Sequence, residues 1–217
     1  MSSFRIEGGC RLKGTIRISG SKNSSLALMV GAALGDEDVI LNNFPQDLDA
    51  VVLADILREI GVKVEEQAPG KVLINGSGLR PRPIPYELAR KIRGSFYVAG
   101  LLLARLKEAE VPLPGGCFLG PRPVDFHIKG FQSLGAEVSI EHGLMKAKMD
   151  KPIENGFFIN RSSVGTTVNM MFLASMTPGT FVLENAAKEP EIVDLAVLLN
   201  AMGARIRGAG TEVIRIP

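Results

Sequence analysis

The chain has 217 residues, 46% of them hydrophobic and 22% charged, with a formal net charge of +2. That composition is ordinary for a globular protein with a sizeable core. It excludes two classes: the basic residues are scattered and there is no Trp, so no nucleic-acid tail or base-stacking surface is visible, and the longest apolar stretches are far shorter than the roughly 20 residues that span a bilayer. Cys10 and Cys117 are the only cysteines, too few for a disulfide framework and lacking metal-ligand spacing. No signal peptide is present, so the cytoplasm is the expected compartment, and no metal or cofactor is implied.

In chain order, residues 4–7 and 15–19 alternate in hydrophobicity and predict two short strands. An apolar helix follows over residues 23–34, then a strand from Val39, an amphipathic helix over residues 49–60 and an alternating strand after Gly61. The pattern recurs. Helices over residues 95–106 and 164–176 are again apolar nearly all round, which predicts burial. Short strands containing Leu41, Leu113 and Leu183 come after these helices, at a period of roughly 70 residues. The second helix of each unit ends at Gly61, Gly135 or Gly203, natural left-handed caps.

The expected fold is therefore α/β, with three repeated βαβαββ units, one buried helix per unit and sheets around them. The starts of the buried helices should converge at one end. Lys22, Arg93 and Arg161 stand at or just before those starts, where unpaired backbone N–H groups favour anions. Ser, Thr and Asn at the same places also have the plain role of helix caps, which applies to Asn23 and Ser163.

Five segments carry a family resemblance: Ser19-Gly-Ser-Lys-Asn-Ser24, Lys91-Ile-Arg-Gly-Ser95, the run from Leu113 through Gly-Gly-Cys117 and Arg122-Pro-Val-Asp to Ile128, Arg161-Ser-Ser-Val-Gly165, and residues 184–194. Together they resemble the UDP-N-acetylglucosamine 1-carboxyvinyltransferases, a family of enolpyruvyl transferases. The resemblance implies an inside-out α/β barrel as the fold. It implies transfer of the enolpyruvyl group of phosphoenolpyruvate to the 3-hydroxyl of UDP-N-acetylglucosamine, with release of phosphate, in the first committed step of peptidoglycan synthesis. It also implies that the chain is the N-terminal half of such an enzyme, inactive without the C-terminal domain. Residues 1–20 would belong to that other domain, and residues 21–217 would form the three-unit domain.

The same resemblance assigns residues. Cys117 would be the proton donor to the phosphoenolpyruvate methylene and the thiol alkylated by fosfomycin, on a Gly- and Pro-flanked loop that reads as surface. Lys22 and Arg122, with Arg93, would offset the carboxylate and phosphate charge. Asn23 would hold the sugar. Arg122, Pro123, Val124, Asp125 and Phe126, together with Arg161, Ser163, Val164 and Gly165, would meet the uridine and the diphosphate. The family often has Lys at the Arg161 position, and Arg changes the hydrogen-bond geometry there. Cys10 reads as structural, His127 as a structural histidine and His142 as an exposed turn residue. Two other readings compete. A non-catalytic nucleotide-sugar binding module would not need Cys117, and the sister 5-enolpyruvylshikimate-3-phosphate synthases lack the Gly-Gly-Cys loop.

Overall fold

The computed structural model describes residues 3–114, 124–153 and 156–217. Three helices are covered on every side: α1 (Lys22–Ala32), α4 (Tyr97–Leu106) and α6 (Val164–Ser175). Eight of eleven, seven of ten and nine of twelve of their residues are buried, so no polar face remains for solvent. Glycines let helices approach closely. A Cβ on Gly31 would sit 2.8 Å from Leu195, and one on Gly130 would sit 2.5 Å from the Met170 sulfur.

Each central helix leads to a strand: β1 (Val39–Asn42), β4 (Glu108–Pro112) or β8 (Phe181–Glu184). Each strand leads to a second helix: α2 (Leu48–Glu59), α5 (Asp125–Ser133) or α7 (Pro190–Ala201). The first two units close with antiparallel hairpins, β2 (Lys63–Ala68) with β3 (Lys71–Asn75) and β5 (Glu137–Glu141) with β6 (Leu144–Lys148). The third has β9 (Val213–Ile216), where residues 204–207 contribute only the Arg207–Arg215 bridge. It adds β7 (Gly156–Phe158), which pairs parallel with β8 across α6. Among the described residues three three-stranded sheets result, ordered β1-β3-β2, β4-β6-β5 and β7-β8-β9. A short helix α3 (Tyr86–Ala89) and a 3-10 turn (Arg93–Phe96) lead into α4. Among the described residues no helix is long and apolar enough to cross a membrane.

The mixed α/β class holds and three units recur, but among the described residues none is a full βαβαββ: the first two run αβαββ, with no strand ahead of α1 or α4, and the third runs βαβαβ. There are three further differences from the sequence reading. Residues 3–21 form no strand, and residues 3–19 are exposed: Phe4 is 97% and Ile18 78% accessible, and no described strand pairs with them. Cys10 lies in this exposed stretch as a free thiol, so it is not a core residue. In the second unit the counterpart of Leu41 is Val111. Leu41 pairs with Val72 and Val111 with Met145 at matching places in the two ladders, while Leu113 falls just past β4.

The three terminal glycines have positive φ, as the cap pattern predicts: 91°, 94° and 108° for Gly61, Gly135 and Gly203. Their surroundings differ. A Cβ on Gly203 would meet nothing, whereas one on Gly61 would run into the carbonyl oxygen of Gly78. Gly203→Ala should therefore cost only the left-handed penalty, about 1 kcal/mol, and Gly61→Ala about 2 kcal/mol. Urea midpoints of the two variants check this, and equal losses would show that Gly78 simply moves aside.

Candidate functional site

Every main helix starts at one cleft. Lys22 and Asn23 come from α1, Asp49 from α2, Arg93 and Tyr97 from the turn into α4, Val124 to His127 from α5, Arg161 to Gly165 from α6, and Glu189 and Glu191 from α7. The cleft encloses about 910 Å³. All the described residues singled out in the sequence line it: Lys22, Asn23, Arg93, Val124, Asp125, Phe126, Arg161, Ser163, Val164 and Gly165. Cys117, Arg122 and Pro123 lie outside the described residues.

Local chemistry explains the placements. Ser21, not Asn23, caps α1: its hydroxyl accepts from the Ser24 N–H at 3.3 Å. That frees the Asn23 amide to donate to Glu191 Oε1 at 3.2 Å across the cleft floor. Ser163 caps α6, accepting from the Thr166 N–H at 3.3 Å, so the plain role foreseen for it is real. Ser95 points inward instead, its hydroxyl within 2.8 Å of the Ala89 and Ile92 carbonyls. The Ser24 hydroxyl donates to Asp194 at 2.6 Å and ties α1 to α7.

The cleft carries charges of both signs. Lys22 Nζ lies 3.0 Å from Asp49 Oδ2, a half-exposed pair of the kind worth at most about 1 kcal/mol, which an arriving anion can displace. Glu191 is 7% exposed and sits in the first turn of α7, where the helix dipole favours a carboxylate. Burial, then the nearby Glu191 carboxylate, push the Tyr97 hydroxyl up to about 12, against an opposing pull from Arg93. The ligand space thus offers basic side chains, helix-start N–H groups and a phenol that stays protonated. An anion fits such a mixture.

Sequence reasoning missed Asp49, Tyr97 and Glu191. Glu191 lies in a segment that carried the resemblance, but no role attached to it. A second groove of about 680 Å³ runs along β4, β5, β6 and residues 81–83. Its charges already answer one another, because Glu108 and Glu137 both stand opposite Lys148 and Glu110 stands opposite Lys146. It contains none of the residues singled out in the sequence.

Comparison with known proteins defines the class. The family model described as EPSP synthase (3-phosphoshikimate 1-carboxyvinyltransferase) matches residues 6–217, and the chain belongs to that family. Within it, the chain is 53% identical over 216 residues to UDP-N-acetylglucosamine 1-carboxyvinyltransferase 2 of Symbiobacterium thermophilum, covering 99% of this chain and 51% of that protein. It is 45% identical to UDP-N-acetylglucosamine 1-carboxyvinyltransferase 3 of Caldanaerobacter subterraneus, covering 100% and 52%. The chain thus spans about half the length of the curated relatives it matches. The enolpyruvyl transferase NikO from Streptomyces tendae has the same fold, with a TM-score of 0.83 at 22% identity over 96% of this chain and 49% of that one. EPSP synthase from Acinetobacter baumannii superposes with a TM-score of 0.74 at 18% identity over 94% of this chain and 46% of that one.

Proposed function

We propose that the chain forms one wall of the active site of a UDP-N-acetylglucosamine enolpyruvyl transferase, and that the half of its relatives' length that it does not match supplies the other wall. The observation that carries this reading is the gathering of Lys22, Arg93 and Arg161 with six helix starts in one cleft. In the reaction, the sugar 3-hydroxyl gives its proton to a base as its oxygen bonds to C2 of phosphoenolpyruvate, while C3 gains a proton and becomes a methyl group. Loss of a proton from C3 and cleavage of the C2–O bond to phosphate then restore the double bond and leave the enol ether. Lys22 and Arg93, with Arg122, offset the charge on phosphoenolpyruvate. Asn23 orients the sugar, and the N–H groups of Val164 and Gly165 with Arg161 meet the diphosphate. Val124, Asp125 and Phe126, with Pro123, hold the uridine. On the same reading Cys117 serves as the proton donor and as the thiol that fosfomycin alkylates, and the protein works in the cytoplasm on the path to peptidoglycan.

The domain reading follows the same line. We take the three units to close as an inside-out barrel, and residues 1–20 to pair with the second domain. The exposure of Phe4, Ile6, Ile16 and Ile18 supports this, since apolar side chains in that state lack their partner surface. Alone, the chain should bind UDP-N-acetylglucosamine only in the millimolar range, because one wall buries little ligand surface. It should release no phosphate from phosphoenolpyruvate. Arg161→Ala should weaken the binding roughly tenfold. Titration calorimetry and a phosphate assay check these outcomes. Turnover by the 217-residue chain, no binding heat, or core-like hydrogen-exchange protection of residues 4–19 in a monomer would each overturn its part of the reading.

A further inference from the structure

Asn169 is the one amide side chain within the apolar body of α6, and it is fully buried. Its Oδ1 accepts from the Gly100 N–H at 3.0 Å, which fixes which way the amide faces. Turned over, it would set N–H against N–H at Gly100 and oxygen against oxygen at Phe96. Its two Nδ2 hydrogens therefore go to the Phe96 carbonyl at 3.1 Å and to His127 Nδ1 at 2.9 Å. His127 Nδ1 is thus an acceptor and carries no proton. A charged imidazolium would oppose two donors, so the ring is neutral with its hydrogen on Nε2.

Nε2 is on the far edge of the ring, against the start of α6. A Cβ on Gly165 would lie 3.3 Å from it. His127 is 7% exposed, and Nε2 has no hydrogen-bond partner among the described residues. The Phe96 ring meets the imidazole edge-on at 5.0 Å and steadies its plane. Arg93, Arg161, Asp125, Tyr97 and Glu191 line the same cleft from the neighbouring elements. Burial, then the Arg93 charge, hold the imidazole well below the usual histidine range, in keeping with this geometry.

We propose that Asn169 fixes His127 as a neutral imidazole whose Nε2–H faces the cleft at the start of α6 and donates to an anionic oxygen of the ligand held there. His127 is then a ligand-binding residue and Asn169 a positioning residue. The ligand contact rests on the reading of the cleft as a nucleotide-sugar site; the tautomer does not. A neutral donor adds a hydrogen bond in a cleft that Arg93 and Arg161 also line, without adding a further positive charge.

The chain has two histidines, and His142 sits in an exposed hairpin turn, so nitrogen–proton correlation spectra are simple to assign. His127 should show a bare Nδ1 and a protonated Nε2 from about pH 5 to about pH 8. Adding UDP-N-acetylglucosamine should move the Nε2–H signal. His127→Gln keeps an N–H near the Nε2 position and should bind within about threefold of the parent, whereas His127→Leu should lose roughly tenfold. Asn169→Asp should let Nδ1 take up a proton and make His127 titrate; if that variant does not fold, the parent spectrum and the Gln/Leu pair decide. A protonated Nδ1 in the parent, or Gln binding no better than Leu, overturns the proposal. No binding by the parent chain sinks the cleft reading and the ligand contact with it, while the tautomer stands or falls on the ligand-free spectrum.

Discussion

Replacing Gly100 by alanine should destabilise the chain by about 3 kcal/mol, although helix propensity alone favours alanine by about 1 kcal/mol. The sign is decided by what surrounds the residue. A Cβ at position 100 would press into Asn169 Oδ1, with the Asn169 carbonyl oxygen at 3.0 Å and its Cα at 3.1 Å behind it. The side chain cannot simply swing aside, because its amide holds the Gly100 N–H, the Phe96 carbonyl and His127 Nδ1 together. Moving it strands buried polar groups at about 1–3 kcal/mol each, and pushing α4 away from α6 adds an overpacking cost of about 1–3 kcal/mol. Urea unfolding of Gly100→Ala measures the sum. Unchanged or increased stability would show that the α4–α6 contact is not the tight joint described.

That joint also shows what was legible in the sequence. The three central helices could be read because residues 26–30 and 170–174 leave no polar face, and the ends of the second helices because Gly61, Gly135 and Gly203 stand where a left-handed residue is required. The convergence of Lys22, Arg93 and Arg161 followed from the repeat, since equal units bring equal helix ends together. The register of the second unit could not be read. Val111 and Leu113 share one face of a strand, and a pattern of period two is blind to a shift of two residues. The connection sets the register instead: Lys107 alone, at φ 63°, joins α4 to β4, where residues 33–38 join α1 to β1. The strands foreseen in residues 4–7 and 15–19 failed for another reason, since alternation describes a face and cannot supply a partner edge. Asp49 and Glu191 escaped notice because acids in a first helical turn already have a reason to be there. Asn169 gave a usable signal, a lone amide among Val168, Met170, Met171 and Phe172, because a buried amide must find partners.

The largest pH effect should come from His127. Its imidazole is largely buried, and that burial, with the charge of Arg93, lowers its pKa from 6.5 to about 3. Above pH 6.5 neither the folded nor the unfolded chain protonates it, and its neutral form costs nothing. Between about 6.5 and about 3 the unfolded chain takes up a proton that the folded chain refuses, so stability falls as pH falls. The slope approaches about 1.4 kcal/mol for each pH unit, and the whole window is worth on the order of 5 kcal/mol. Below about 3 both states are protonated and this contribution stops changing. Other groups titrate nearby. Glu141, hydrogen-bonded to Lys146, and Glu212, hydrogen-bonded to Lys188, also have lowered values, and they too lose stability as they protonate. They are exposed and common to every variant, so they cancel in a difference. Urea midpoints of the parent and His127→Gln should therefore diverge in their pH dependence below about 6.5: the parent drops steeply, while the Gln variant, with nothing to protonate at this position, drops more gently. The Gln variant starts lower at neutral pH if its amide meets Asn169 less well, but that offset does not alter the slope. Parallel curves down to about pH 4 would mean that His127 accepts a proton in the folded chain, and that the Asn169 amide does not hold it neutral.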